Sequence, residues 1–224
     1  MKKLFVLFVA ALVAAPAFAQ VSAEKIQKNM ERKLTKGEFA EISKSEQSVQ
    51  SMIDAFAERD RFNEVAKQSN NYFIAQYILI NLADPLVKLG DMEALPKALV
   101  YDTFRVGNRS MVQFVRAFAG QFQPKEEGEL RAFAGRVEAL NEWAKLTKMH
   151  DAKKPYFTAE YILINIVDPF ANLSDKDAAS KATFYKDHMK VGNTPLLTFV
   201  ADYTEQRGFE SFDAFISRVQ ALAK

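Results

Sequence analysis

The segment Tyr72-Phe-Ile-Ala-Gln-Tyr-Ile-Leu-Ile-Asn-Leu-Ala-Asp-Pro-Leu86 returns 84 positions later as Tyr156-Phe-Thr-Ala-Glu-Tyr-Ile-Leu-Ile-Asn-Ile-Val-Asp-Pro-Phe170, with ten of fifteen positions identical. A repeat of this length must be read as architecture before any single residue is interpreted, because each copy is one structural unit. The offset stays at 84 through Tyr101 and Tyr185, then becomes 85 through Gly107 and Gly192. One residue has therefore entered the connection between the third and fourth elements of the second copy, a place where insertions disturb packing least. A third, partial copy closes the chain. Ala132-Phe-Ala-Gly-Arg-Val-Glu-Ala-Leu140 matches Ala214-Phe-Ile-Ser-Arg-Val-Gln-Ala-Leu222 at six of nine positions, 82 apart.

Apolar residues recur at helical spacing nearly throughout. Val49, Met52, Ile53, Phe56 and Ala57 form one stripe, Met111, Phe114, Val115, Phe118 and Phe122 a second, and Phe212, Phe215, Ile216, Val219 and Leu222 another. No stretch shows sustained strand alternation, so the expected fold is all-α. It comprises two tandem four-helix repeats of about 84 residues and a C-terminal capping helix of the kind that closes stacked arrays. The expected boundaries are 46–126 for the first repeat, 127–208 for the second and 209–224 for the cap. Within the repeats the helices fall near 46–68, 71–83, 92–105 and 109–122, then 127–149, 155–167, 175–189 and 194–207.

Local stop and start signals agree with this division. Asp84-Pro85 and Asp168-Pro169 read as N-caps followed by a proline suited to a first helical turn. Thr194-Pro195 reads the same way, and Ser174-Asp-Lys-Asp177 resembles a capping box. Gly107-Asn108 and Gly192-Asn193 read as helix ends. The repeat length is not a multiple of the 34-residue tetratricopeptide unit, and that unit's motif is missing.

The N-terminus reads as a secretory signal over residues 1–19. Lys2 and Lys3 precede the apolar run Leu4 to Ala15, and Ala17-Phe-Ala19 is a small-x-small cleavage site. Twelve apolar residues are too few to span a bilayer, which takes roughly twenty. The expected mature protein begins at Gln20 and is periplasmic or secreted, with a charged arm or helix over 20–45. Two of the thirty Lys and Arg leave with the signal, so twenty-eight cations face twenty-eight Asp and Glu. A nucleic-acid binder shows a net basic field or stripe, and this balance argues against one. The chain has no cysteine and only His150 and His188. Thiol chemistry, disulfides and histidine metal centres are thereby excluded or disfavoured, and no cofactor is expected.

Candidate ligand positions come from two comparisons. Residues kept in both copies include Tyr77 with Asn81 and Tyr161 with Asn165, each pair four apart and so on one helix face. An asparagine in an apolar helix is costly unless hydrogen-bonded. It reads either as a polar anchor in an apolar pocket or as a tie to the helix terminus, and the tie is preferred. Residues that differ include Arg109 and Arg116, which become Thr194 and Ala201, and Asp102-Thr-Phe104, which becomes Lys186-Asp-His188. With Arg105, the arginines offer a cluster for an anionic group, against the reading of a solvated face. Asp84 with Asp168 offers a paired carboxylate for acid–base work, but capping explains both. Tyr101 and Tyr185 read as core edge, and His150 as an exposed connection.

The expected function is a non-enzymatic binding or scaffolding module of the bacterial cell envelope. Its expected partner is an envelope protein, met through a groove between repeats or through the arm at 20–45. An alternative is a carrier of an apolar or amphipathic small ligand held between helices. A hydrolase using Asp or Glu is the third reading, and the weakest.

Overall fold

The structure is a computed structural model that describes residues 46–150, 153–207 and 210–223. The signal and the arm at 20–45 lie outside the described residues. The described chain is mostly helical with very little strand, an all-α fold.

The first copy contains α1 (Glu46–Gln68), α2 (Asn71–Ile78), a π-helical turn (Leu79–Ala83), α3 (Asp84–Val87), α4 (Asp91–Tyr101), strands β1 (Arg105–Val106) and β2 (Arg109–Ser110), and α5 (Met111–Phe118) with a 3₁₀ turn after it. The second follows the same order: α6 (Pro124–Met149), α7 (Pro155–Ile162), a π turn (Leu163–Val167), α8 (Asp168–Ala171), α9 (Asp175–Asp187), β3 (Lys190–Val191), β4 (Thr194–Pro195) and α10 (Leu196–Arg207). Helix α11 (Glu210–Leu222) comes last. Long helices pack in a row, α1 on α4, α4 on α6, α6 on α9 and α9 on α11. One continuous apolar core runs between them, from Met52 and Phe62 to Phe212 and Val219.

Three expectations need correction. Asp84 and Asp168 do not cap. Both have α-helical dihedrals, and the helix runs through the Asp-Pro pair as far as Val87 and Ala171. The physical reason is the π turn before each proline. Asp84 N–H donates to the Leu79 carbonyl, five residues back, and Asp168 N–H to Leu163. Proline lacks an N–H and clashes with the carbonyl four residues earlier, so a wider turn lets the chain pass it without breaking.

The burial pattern shows the same thing. Ile74-Ala75, Ile78-Leu79, Leu82-Ala83 and Leu86 are buried, while Tyr72-Phe73, Ile80-Asn81 and Asp84 are exposed. A four-residue repeat drifts by about 40° per step on a 3.6-residue helix, or about 120° over three steps. The extra residue in the π turn absorbs that drift and keeps one face on the core.

The second correction concerns the Gly-Asn pairs, which are hairpin turns and not helix ends. Val106 pairs with Arg109 and Val191 with Thr194, each across two residues, and Gly107 and Gly192 adopt φ of 58° and 59°. Glycine reaches that region without the steric penalty other residues meet. Thr194-Pro195 accordingly belongs to a strand, and α10 begins at Leu196.

Thirdly, the buried counterpart of Phe104 is Met189, not His188. Met111 N–H donates to Phe104 and Leu196 N–H to Met189, so the extra residue of the second copy lies before Met189, at the end of α9. The expected cap at Ser174 is present, with its hydroxyl accepting from Asp177 N–H. Ser110 and Gln113 form a full capping box that the sequence reading overlooked.

Candidate interaction site

Two polar devices fix the helices that carry the site. The first joins α1 to α4 and, 84 residues on, α6 to α9. Glu58 accepts from Lys97 Nζ at 2.7 Å and from the Tyr101 hydroxyl at 2.5 Å; Glu142 accepts from Lys181 Nζ and the Tyr185 hydroxyl, both at 2.5 Å. Both lysines and both tyrosines are buried. Burial, with the glutamate charge beside it, pushes each phenol well above its ordinary range, so each stays protonated and donates. The retained tyrosines are thus core anchors, and their lysine and glutamate partners were not singled out from sequence.

In the second device an arginine caps the preceding helix. Arg136 of α6 donates to the Leu86, Val87 and Leu89 carbonyls and pairs with Asp91 at 3.2 Å. Arg218 of α11 does the same for Phe170, Ala171, Leu173 and Asp175. The last carbonyls of a helix have no intrahelical donors, and a planar guanidinium satisfies several at once. Replacing Arg136 by alanine is expected to cost about 2 kcal/mol, read as a fall in the urea midpoint. Lysine at 136 should restore little of it, since an ammonium cannot span the same fork. Full recovery with lysine would show that charge alone matters.

Held this way, the helices α2 and α7 turn one face outward. Phe73 is 57% exposed and Ile80 61%; their counterparts Phe157 and Ile164 are 54% and 57% exposed. Tyr72 and Tyr156 are also exposed, and the Tyr72 ring stacks on Phe122 at 5.0 Å. Tyr77, Tyr161, Asn81 and Asn165 lie on the same face. The tyrosines are half-buried and the asparagines exposed, so none anchors a buried pocket. Asn81 Nδ2 donates to the Tyr77 carbonyl at 3.1 Å and Asn165 Nδ2 to Tyr161 at 3.0 Å. These amides serve the turn where the backbone ladder changes spacing, inside a continuous helix and not as a tie from a helix terminus to the next loop.

The arginines do not converge. Arg105 folds onto the carbonyls of Asp102 and Phe104, and Arg109 is exposed on β2. Arg116 pairs with Glu138 at 2.5 Å and lies 3.8 Å from Asp177. There it joins a run of ion pairs through Arg131, Glu127 and Lys176 that binds α5, α6 and α9 together. Burial raises the Glu138 carboxyl despite Lys181 and Arg116 beside it. In the second copy Ala201 replaces Arg116, so this junction occurs once.

A groove of about 500 Å³ lies where α3, α6 and α9 meet. Asp84 and Val87 line one side, Phe133 and Arg136 the floor, and Phe184 and His188 the far wall. The imidazole of His188 stacks on Phe184 at 5.4 Å and meets Asp91 at 2.6 Å. Its partner is therefore a carboxylate of the first copy. Asp168 does not line this groove, so the two aspartates retained in both copies do not share it. His150 is half-buried against Gly192, not an exposed connection.

Among the described residues no cluster of three His, Asp or Glu is placed to hold a metal, and no helix is long and apolar enough to cross a membrane. No family model, curated protein or solved structure matches the chain.

Proposed function

We propose that this chain is an exported, non-enzymatic binding module of the cell envelope, built from two tandem four-helix units and a closing helix, which engages a protein partner through the outward faces of α2 and α7. One observation carries the reading: Tyr72, Phe73 and Ile80 are exposed, and so are Tyr156, Phe157 and Ile164 at the matching positions of the second copy. Packing explains why buried residues recur in a duplicated fold. It gives no reason for large apolar side chains to recur in solvent, where contiguous apolar surface marks interaction sites. Aromatic residues also dominate the energetic centres of protein interfaces. The leader and the cleavage before Gln20 supply the compartment.

Site-specific photo-crosslinking tests this reading in cells making the full chain with its leader. A benzophenone side chain at position 73 or 157 is expected to trap the same discrete adduct in the envelope fraction, on a protein whose first residue is Gln20. The same group at Lys125, which is 87% exposed and stands on α6 instead of α2 or α7, should trap none. No adduct from 73 and 157, or an equal one from 125, sinks the proposal.

A further inference from the structure

We infer that the groove between α3, α6 and α9 is a binding site for a small organic cation with an apolar body.

The groove arises from the stacking itself. It needs the end of one copy's second helix, the long helix that follows, and the third helix of the next copy. Phe215 and Arg218 of α11 repeat Phe133 and Arg136 of α6, but among the described residues no helix stands beyond α11 as α9 stands beyond α6. The groove therefore forms once. Its volume falls within the roughly 300–1,000 Å³ of small-molecule sites, and Leu86, Val87, Phe133 and Phe184 make its walls largely apolar.

Charge selects the ligand. The nitrogen side chains of the groove are engaged: Arg136 holds three carbonyls and Asp91, and the His188 imidazole meets the other oxygen of Asp91. The Asp84 carboxylate lines the apolar slot and has no hydrogen-bond or ion-pair partner among the described residues. Glu129, also on the groove, has among the described residues only Lys125, 3.8 Å away and mostly in solvent. An anionic head would meet two carboxylates and find no free cation. A cationic head completes Asp84, and an apolar tail covers Val87 and Phe133.

The far wall also departs from its counterpart in the first copy. Thr183 stands where α4 has Leu99, and His188 sits in the one-residue insertion before Met189. Two of the differences between the copies thus lie on this groove, and the insertion supplies its link to Asp91.

Calorimetric titration with decyltrimethylammonium, decyl sulfate and decyl maltoside, each below its micelle concentration, tests the assignment. The ammonium probe is expected to bind once per chain, about tenfold or more tighter than the other two, the scale of one ion pair beside a protein surface. Asp84→Asn should remove that preference, and Val87→Trp should abolish binding by filling the slot. Both positions are exposed, and circular dichroism checks that the variants stay folded. Phe73→Ser/Phe157→Ser should bind the probe as the parent does. Equal affinity for all three head groups overturns the inference, as does undiminished binding by Val87→Trp. Loss of binding in the Phe73/Phe157 variant would place the probe on the outward faces instead.

Discussion

Deleting residues 209–224 is expected to cost more than half the stability of the chain. Helix α11 buries Phe212, Phe215 and Val219 almost completely. Phe215 packs on Phe170 at 5.4 Å and on Tyr185 at 5.7 Å. Side chains of this size contribute about 1.5–3 kcal/mol each when fully buried, so losing three removes about 5–9 kcal/mol against a typical total of 5–15. The deletion also strips Arg218 from the Phe170, Ala171 and Leu173 carbonyls. It also uncovers the Tyr185 ring of α9, whose hydroxyl serves Glu142. The damage should be local at first, because each copy packs mainly on its neighbours. Hydrogen exchange should show α7 to α10 losing protection while α1 to α6 keep most of theirs. Thermal melting by circular dichroism gives the overall loss. A truncated chain with unchanged helicity and melting temperature would remove α11 from the role of closing helix.

The helix itself was legible from sequence because it rests on local pattern. The match between 132–140 and 214–222 carries both the apolar stripe and the arginine, and the helix expected over 46–68 is α1, Glu46–Gln68. What escaped was set by long-range partners or by a backbone form with no simple signature. Glu58 and Lys97 are 39 residues apart and Glu58 and Tyr101 are 43, so periodicity shows the tyrosine but not who receives its proton. The Asp-Pro pair carries the ordinary signal for a helix start, and the π turn that overrides it shows only as a four-residue apolar repeat. The Gly-Asn hairpins were hidden because two-residue strands are too short to alternate. Arg116 looked like a ligand position because its counterpart is Ala201. The structure shows that the difference reflects a junction made once, through Glu138 and Asp177. His188 is the opposite case: aligned with Phe104 from sequence, it proves to be the inserted residue and stands on the far wall of the groove.

Gly135→Ala is expected to destabilise the protein by about 3 kcal/mol, a steric overpacking cost. Helix propensity points the other way, since alanine in a helix interior is favoured over glycine by about 1 kcal/mol. The sign therefore decides which effect rules. A methyl group at 135 would overlap the Ser180 hydroxyl and lie 2.6 Å from the Ser180 carbonyl oxygen. Only the hydroxyl could turn aside; the carbonyl belongs to the backbone of α9. Moving α9 away would disturb the Glu142–Lys181–Tyr185 contacts and the Arg131–Asp177 pair at 2.7 Å. Gly128 is the internal control, in the same helix with nothing within 4 Å of the added methyl. Gly128→Ala should stabilise by about 0.5–1 kcal/mol. Urea denaturation of the two variants should thus shift in opposite directions, about 4 kcal/mol apart. Adding Ser180→Ala to Gly135→Ala should recover only part of the loss, because the carbonyl contact survives. Complete recovery would mean the hydroxyl alone sets the spacing of α6 and α9. A stabilising Gly135→Ala would mean the two helices are not in backbone contact at all.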